Sequence, residues 1–186
     1  RGISTSAETG FAYGSSNLYR WLNRNERVTF RETEFVNSSG RIADIPKFHA
    51  VNTALQVNLH GEVNATMGPE GRISSPGGQV EFMTGASRSA GGKAIIAVRS
   101  TAKNETISSI VLDLYDGPIT TPHESVSHVV TEYGIAQLKG KTERQRAKAL
   151  IGIAHPKFRA ELIQQALARR LITASDAAEI PRGGAL

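Results

Sequence analysis

Cysteine is absent from the sequence. Disulfides, thiolate zinc sites and a cysteine nucleophile are therefore excluded. No apolar run approaches the roughly 20 residues that a bilayer-spanning helix needs. Aromatic residues make up only 6% of the chain, and no run of Lys and Arg is interleaved with them. That argues against a basic nucleic-acid-binding domain. The G-x-G-x-x-G and P-loop lysine patterns are missing, and so is the G-x-S-x-G elbow of a Ser/His/Asp hydrolase. The histidines (His49, His60, His123, His128 and His155) are scattered. Only His123 and His128 stand close, outside any convincing helical pattern, so no metal site is expected.

What is there describes an ordinary globular chain. Its 186 residues suit one domain, with 39% hydrophobic and 21% charged residues. A chain of this length buries about 70% of the surface it exposes when unfolded, so it needs no covalent staple. The net charge of +5 fits an anionic partner of nucleotide type as well as it fits a solvated basic surface. The chain opens at Arg1 without a signal-like segment and reads as the later part of a larger protein. With no cysteine, an intracellular setting is expected.

Taken in order, residues 1–10 read as a loose lead-in and Phe11-Ala12-Tyr13 as a short buried strand. Ser15 or Ser16 then caps a helix carrying Leu18, Trp21 and Leu22 on one face. Val28–Phe30 is a second strand, and 35–45 reads as loop. His49–Leu59 alternates in its second half, with Leu55, Val57 and Leu59 on one face, and 62–65 returns as its hairpin partner. Thr66–Gly71 is a turn cluster. Lys93–Val98 is the clearest buried strand, Ile107–Asp113 is another, and Asp116-Gly117-Pro118 breaks it. A short turn or helix and a strand follow, up to the Thr131-Glu132-Tyr133-Gly134 loop. Thr142 and Gln145 form a capping box ahead of one helix, and His155-Pro156 opens a second. Residues 173–186 read as a turn and a frayed tail. Strands first and two long helices last predict an α/β fold, a layered mixed β-sheet flanked by helices.

The chemistry concentrates in 72–103. Gly77-Gly78 allows backbone N–H groups to approach a ligand, and the helix start that follows adds a positive dipole end. This is a seat for an anion or a developing oxyanion. Ser74 and Ser75 stand ready to donate to an anion there, although filling a polar turn explains them equally well. Lys103 closes Ser100-Thr101-Ala102-Lys103 just past the best strand, where open α/β sheets bind ligands. Glu81 falls in the first helical turn, a place the dipole favours structurally. Glu132, beside Tyr133-Gly134, is the other carboxylate suited to buried polar work.

The strings Pro76–Phe82 (PGGQVEF), Ser87–Lys93 (SRSAGGK) and Ser100–Lys103 (STAK) resemble the C-terminal domain of the acetyl-CoA hydrolase/transferase family. That family lies within the class I CoA-transferases and includes 4-hydroxybutyrate and succinyl-CoA:acetate CoA-transferases. Val51–Val57 (VNTALQV), Val129–Ala136 (VVTEYGIA) and Arg146–Arg159 (RAKALIGIAHPKFR) match in the same order. Phe11–Gly14, Leu18-Tyr19 and Val36-Asn37 do so too, and the resemblance runs from about residue 11 to 172.

The resemblance implies a class I CoA-transferase-like domain and a ping-pong transfer of coenzyme A between small carboxylic acids. A glutamate attacks the acyl-CoA thioester, giving a mixed anhydride and then a glutamyl-CoA thioester. Each attack develops an oxyanion that needs backbone N–H donors. The family's glycine loop matches Gly77 and Gly78, with Gly78 favoured as donor. Ser74 matches a CoA-contacting position, Lys103 a lysine near the CoA phosphates, and Asn37 and Asn52 more loosely the CoA or acyl pocket. No metal is implied. The nucleophilic glutamate belongs to an S-E-M-like motif upstream of everything present here, and no glutamate of this chain stands in that context. The expected partners are acyl-CoA, carboxylates, an N-terminal domain carrying the nucleophile, and further copies in a homo-oligomer. The expected location is the cytoplasm, or the mitochondrion in a eukaryote. A free-standing CoA- or nucleotide-binding module without catalysis is the alternative.

Overall fold

A computed structural model describes residues 6–114 and 118–181. The chain divides into two units, Arg1–Ser38 and Ser39–Leu186.

In the first unit, β1 (Ala7–Thr9) pairs in parallel with β2 (Val28–Phe30), and α1 (Ser16–Leu22) lies between them in sequence. α2 (Thr33–Val36) closes the unit. The strand expected at Phe11–Tyr13 forms instead at Ala7–Thr9, inside the segment expected to be a lead-in. Its sequence, Ala-Glu-Thr, offers no apolar signal, and an Arg31–Glu8 ion pair of 3.1 Å helps to hold it. Phe11 and Tyr13 are 78% and 89% exposed. α1 forms where expected, yet it buries no residue.

The second unit carries the core. α3 (Ser39–Ala43) replaces, together with α2, the loop expected over 35–45; Ile42 of α3 is buried, and one apolar residue is too little to betray a helix to periodicity. β3 (His49–Asn52) precedes β4 (Gln56–Asn58), and β5 (Val63–Asn64) returns antiparallel to β4, as the hairpin reading requires. Residues 56–59 are all buried, however, so their alternation does not separate a wet face from a dry one. Within the turn cluster, β6 (Met67–Gly68) and β7 (Gly71–Arg72) form a small hairpin. α4 (Gln79–Arg88) follows the glycine pair, and β8 (Lys93–Ala97) matches the strongest strand expectation.

Next come β9 (Thr101–Ala102), β10 (Ile107–Ser108) and β11 (Ile110–Val111), so 107–113 holds two short strands rather than one. Of the expected Asp116-Gly117-Pro118 break, residues 116 and 117 lie outside the described residues. A 3-10 turn (His123–Ser125) leads to β12 (His128–Thr131) and β13 (Gly134–Gln137). α5 (Glu143–Ile153) starts in the predicted Thr142/Gln145 capping box, and α6 (Pro156–Ala168) starts with Pro156 in its first turn. α7 (Ala174–Glu179) stands where a tail was expected, because Thr173 and Asp176 form a second capping box and Ala177 and Ile180 pack into the core. The expected frayed end at 182–186 lies outside the described residues.

The central sheet has the order β13-β12-β8-β3; β12, β8 and β3 run parallel and β13 is antiparallel. Ala50, Ala94, Ile96, Val129 and Ala136 point from it into one core with Met83 and Ala86 of α4 and Ala147, Leu150 and Ile151 of α5. A three-stranded sheet, β11-β4-β5, adds Val57, Val63 and Ile110 to the same core. The turn into β8 brings α4 close. A Cβ on Gly92 would lie 2.5 Å from the Ala86 carbonyl oxygen and 2.6 Å from that of Phe48.

One half-buried helical position has spare room. Gly152, inside α5, would meet no heavy atom within 4 Å of an added Cβ. Gly152→Ala is expected to raise stability by about 0.5–1 kcal/mol, because alanine loses less backbone entropy in a helix. A urea midpoint unchanged or lowered in this variant would contradict the expectation.

Candidate functional site

The glycine loop leaves β7 along Ile73–Gly78. It is anchored at both ends. At its start, the Ile73 N–H donates to the Thr66 carbonyl (2.7 Å) and the Ser74 hydroxyl donates to the Ala65 carbonyl (2.8 Å). At its far end, buried Gln79 donates through Nε2 to the Thr121 hydroxyl (3.1 Å). Both anchors land on one structure, since Thr121 bridges to Val63 of β5 and the Thr120 hydroxyl accepts from the Ala65 N–H (2.9 Å).

Between the anchors the backbone is free to face a ligand. Gly77 has φ +55°, which a glycine adopts without strain. Gly78 caps α4, with no side chain satisfying the helix's first N–H groups. Among the described residues, no hydrogen-bond acceptor is assigned to the N–H of Gly77 or Gly78. The positive end of the ten-residue helix α4 therefore meets an exposed, donor-rich turn. Glu81 sits exposed in its first turn, as expected of a dipole-compensating residue.

Lys103 stands at the tip of the β9–β10 hairpin, beyond the C-terminal end of β8. Lys103, Asn104 and Glu105 have φ of 48°, 53° and 62°, a run of non-glycine residues in the left-handed region. The Thr106 N–H and hydroxyl both donate to the Lys103 carbonyl and close the turn. Arg99, Thr101, Ala102, Lys103, Asn104 and Glu105 line a cleft of ≈ 640 Å³. Two cations against one carboxylate give it a positive bias suited to phosphate.

Glu132 holds the base of this hairpin. Its carboxylate accepts from the Ser100 N–H (2.9 Å) and the Ser100 hydroxyl (2.7 Å), and Ser100 is fully buried. Desolvation alone would raise the Glu132 pKa, but the Ser100 hydrogen bonds and nearby Arg99 outweigh it and hold the carboxyl below the ordinary glutamate value. Its neighbour Tyr133 is fixed by the edge of His155 at 5.3 Å and by the Arg159 guanidinium 5.5 Å from the ring centroid. Arg159 is itself buried, donating to the Ala154 (2.9 Å) and Pro181 (2.8 Å) carbonyls.

The glycine loop and the hairpin belong to one hydrogen-bonded frame. Val57 of β4 donates to the Ser109 carbonyl (2.8 Å), and the Ser109 N–H donates to that of Ser100 (2.9 Å). β4 pairs with β5, where the glycine loop is anchored. Ser74, Gly77, Gly78 and Lys103 are thus linked through β5, β4 and β9. Asn52, half-buried, ends β3 and pairs in register with Ile96 of β8. Asn37 belongs to the first unit, where it caps the C-terminus of α2.

One expectation is qualified and one feature is new. The Ser74 hydroxyl proton is already committed to Ala65, so Ser74 would meet an anion only after rotating. The anchoring role of Gln79, Thr66, Thr120 and Thr121 was not anticipated. They are buried polar residues in turn-rich sequence, and no periodicity marks them. The stack of Tyr133, His155 and Arg159 falls within two of the matched strings, but its geometry was equally hidden. Among the described residues, no group of three His, Asp or Glu stands where it could hold a metal.

Residues 14–166 match the "Acetyl-CoA hydrolase/transferase C-terminal domain". The chain is 43% identical over 157 residues to a succinyl-CoA:cyclohexane-1-carboxylate CoA transferase of Geobacter metallireducens, covering 84% of this chain and 36% of that protein. It is 44% identical over 156 residues to a 4-hydroxybutyrate coenzyme A transferase of Clostridium kluyveri, covering 83% and 36%. The crystal structure of RipA from Yersinia pestis superimposes with a TM-score of 0.83 at 38% identity, covering 90% of this chain and 38% of that one. The chain thus spans little more than a third of the length of these relatives. It belongs to the acetyl-CoA hydrolase/transferase family, and what it matches there is the C-terminal domain.

Proposed function

We propose that this chain works as the C-terminal part of an enzyme that moves CoA between carboxylic acids, or hydrolyses acyl-CoA, through a glutamyl-CoA thioester. The observation that carries the reading is the Gly78 N–H, unpartnered at the start of α4 and braced on both sides by Ser74 and Gln79. A donor fixed before the reaction costs no reorganisation when charge develops, which is the condition for stabilising an oxyanion.

In this reading Gly78, with Gly77 shaping the turn, faces the oxygen of the thioester or anhydride. Lys103 and Arg99 hold CoA phosphates in the hairpin cleft. Asn52 contributes to the CoA or acyl pocket. The attacking glutamate comes from a segment outside this sequence, together with an N-terminal domain, and the active enzyme is a homo-oligomer. The CoA thioester is substrate, and the acyl group and acceptor acid are not specified by the residues present.

Acyl-CoA and carboxylate acceptors, offered separately to the 186-residue chain and to a polypeptide that also carries the N-terminal portion, test the reading. The longer protein is expected to turn over, and borohydride is expected to trap its glutamyl thioester. The short chain is expected to be inert. Turnover by the short chain, abolished in Glu81→Gln or Glu132→Gln, would overturn the assignment and place the nucleophile here. CoA binding without a trapped glutamate in the longer protein would favour the binding-module alternative.

Lys103→Ala in the longer protein is expected to raise the acyl-CoA KM about 10-fold with little change in kcat, the effect of losing one charge-assisted phosphate contact. The difference should shrink at high salt. An unchanged KM would remove Lys103 from the CoA site.

A further inference from the structure

The central sheet has a second face. Across β3, β8, β12 and β13 the register sets Val51, Ile95, His128 and Gln137 in one row. Ala97, Val130 and Ile135 form the next, and His49 beside Lys93 flanks the first. These positions alternate with Ala50, Ala94, Ile96, Val129 and Ala136, which point into the core, so they share the opposite face. That face is open: Val51 is 62% and Ile135 66% exposed, Ala97 is exposed, and Ile95 and Val130 of the two central strands are only half-buried.

Such a face is out of keeping with its strands. β3, β8 and β12 are parallel, and parallel sheets occur almost only with both faces covered. Contiguous β-branched side chains on adjacent strands make an apolar patch of the kind that marks an interface. The relatives supply a candidate cover. The chain spans only 36% to 38% of their length, and what it matches is the family's C-terminal domain.

We propose that this sheet face is the docking surface for the N-terminal portion of a CoA-transferase polypeptide. An apolar element of that portion covers Val51, Ile95, Ala97, Val130 and Ile135, and its carboxylates meet His49, Lys93 and His128. The proposal rests on the functional reading above and adds a location to it. The same strands lead directly into the candidate site: β3 ends at Asn52, β8 runs on to Arg99 and Ser100, and β12 to Glu132. Docking here therefore sets the N-terminal portion on the strands that run to the candidate site, across the sheet from α4. A second copy of this chain suits the face less well, since the rows it would present to Lys93 hold no carboxylate.

The absence of native cysteine makes the test direct. Val51→Cys and Ile135→Cys report on the face, and Gln164→Cys, exposed on α6, is the reference. Each is introduced into the 186-residue chain and into the polypeptide carrying the N-terminal portion, with maleimide labelling followed by peptide mapping. All positions are expected to label readily in the short chain. In the longer protein Val51→Cys and Ile135→Cys are expected to slow about 30-fold or more relative to Gln164→Cys, as for groups that react only after local opening. Unchanged rates in a longer protein that still turns over acyl-CoA would overturn the docking proposal alone. Protection that grows with concentration of the short chain would overturn it in favour of self-association. Protection in a longer protein without activity would support the docking surface while sinking the enzymatic reading.

Discussion

Gly92→Val is expected to unfold the second unit at temperatures where the unaltered chain is folded. Even a single Cβ at this position would sit 2.5 Å from the Ala86 carbonyl oxygen, 2.6 Å from that of Phe48 and 2.6 Å from the Ser89 Cβ. Two of these obstacles are backbone, so no rotamer change relieves them. The surroundings are equally fixed. The Gly92 N–H donates to the Ser89 carbonyl (2.9 Å), and the Lys93 N–H to the Phe48 carbonyl (3.1 Å). The Ser89 hydroxyl, at the end of α4, donates to the Ile45 carbonyl (2.6 Å) and accepts from the Phe48 N–H (3.1 Å). Admitting a side chain means separating α4 from the start of β3 and β8. Overpacking of this kind costs about 1–3 kcal/mol in an adaptable core, and the upper end or more is expected against rigid backbone. Gly92→Ala should show a smaller loss of the same sign, and Gly152→Ala a gain. Urea unfolding of the three variants checks this ordering, and a Gly92→Ala midpoint equal to that of the parent would refute it.

Glu132→Ala is expected to weaken both the fold around the hairpin and the binding of CoA. Its carboxylate, on an exposed residue, takes the N–H and hydroxyl of wholly buried Ser100, and removing it leaves those two donors to whatever water enters from the surface. A loss of about 1 kcal/mol follows, the net worth of such hydrogen bonds where water can replace the acceptor. Because Ser100 starts the segment that ends at Lys103, the longer enzyme should also show an acyl-CoA KM raised about 10-fold, with kcat less affected. Glu132→Gln keeps one acceptor oxygen and should fall between. The pH dependence has a definite sign. The folded-state pKa lies below the ordinary value, so the stabilisation is fully present above that ordinary value and is lost as pH falls through the folded one. The stability gap between the parent and Glu132→Gln should therefore be widest near neutrality and close in acid. A gap that does not vary with pH would mean the carboxylate's charge is not what holds Ser100.

The sequence revealed those parts of the fold in which one residue type had one reason to be there. Lys93–Ala97 reads as a strand because it is short, apolar and preceded by Gly91-Gly92, and it is one. The Thr142/Gln145 box and Pro156 announce α5 and α6 because capping chemistry is local. α3 and α7 escaped notice for opposite reasons. α3 shows a single buried apolar side chain, whereas α7 is announced by a Thr173/Asp176 box in a stretch that looks like a polar turn. β1 escaped because Ala-Glu-Thr gains its place from a neighbour, β2, about 20 residues away in sequence.

The site was legible to a similar degree. Gly77-Gly78 before a helix and Lys103 after a strand are local patterns, and the matched strings gave them a family. The bracing was not local. Gln79 reaches Thr121 and Ser100 reaches Glu132 across 42 and 32 residues, and periodicity carries no information at that range. Glu132 was marked as a carboxylate suited to buried polar work, but the residue is exposed and it is its partner, Ser100, that is buried.

The left-handed run at Lys103, Asn104 and Glu105 has a consequence for the rate at which a ligand is released. Left-handed backbone costs roughly 1 kcal/mol or more for each non-glycine residue, so the hairpin around it must impose the conformation. A tip imposed in this way has few alternative shapes to relax into when the ligand leaves. The ordering of the tip is completed during folding, and association is spared that entropy. For the same reason the hairpin offers no slow reopening step, so under the proposed function the release of a phosphate-bearing ligand is expected to be set by breaking contacts with Lys103 and Arg99 rather than by loop rearrangement.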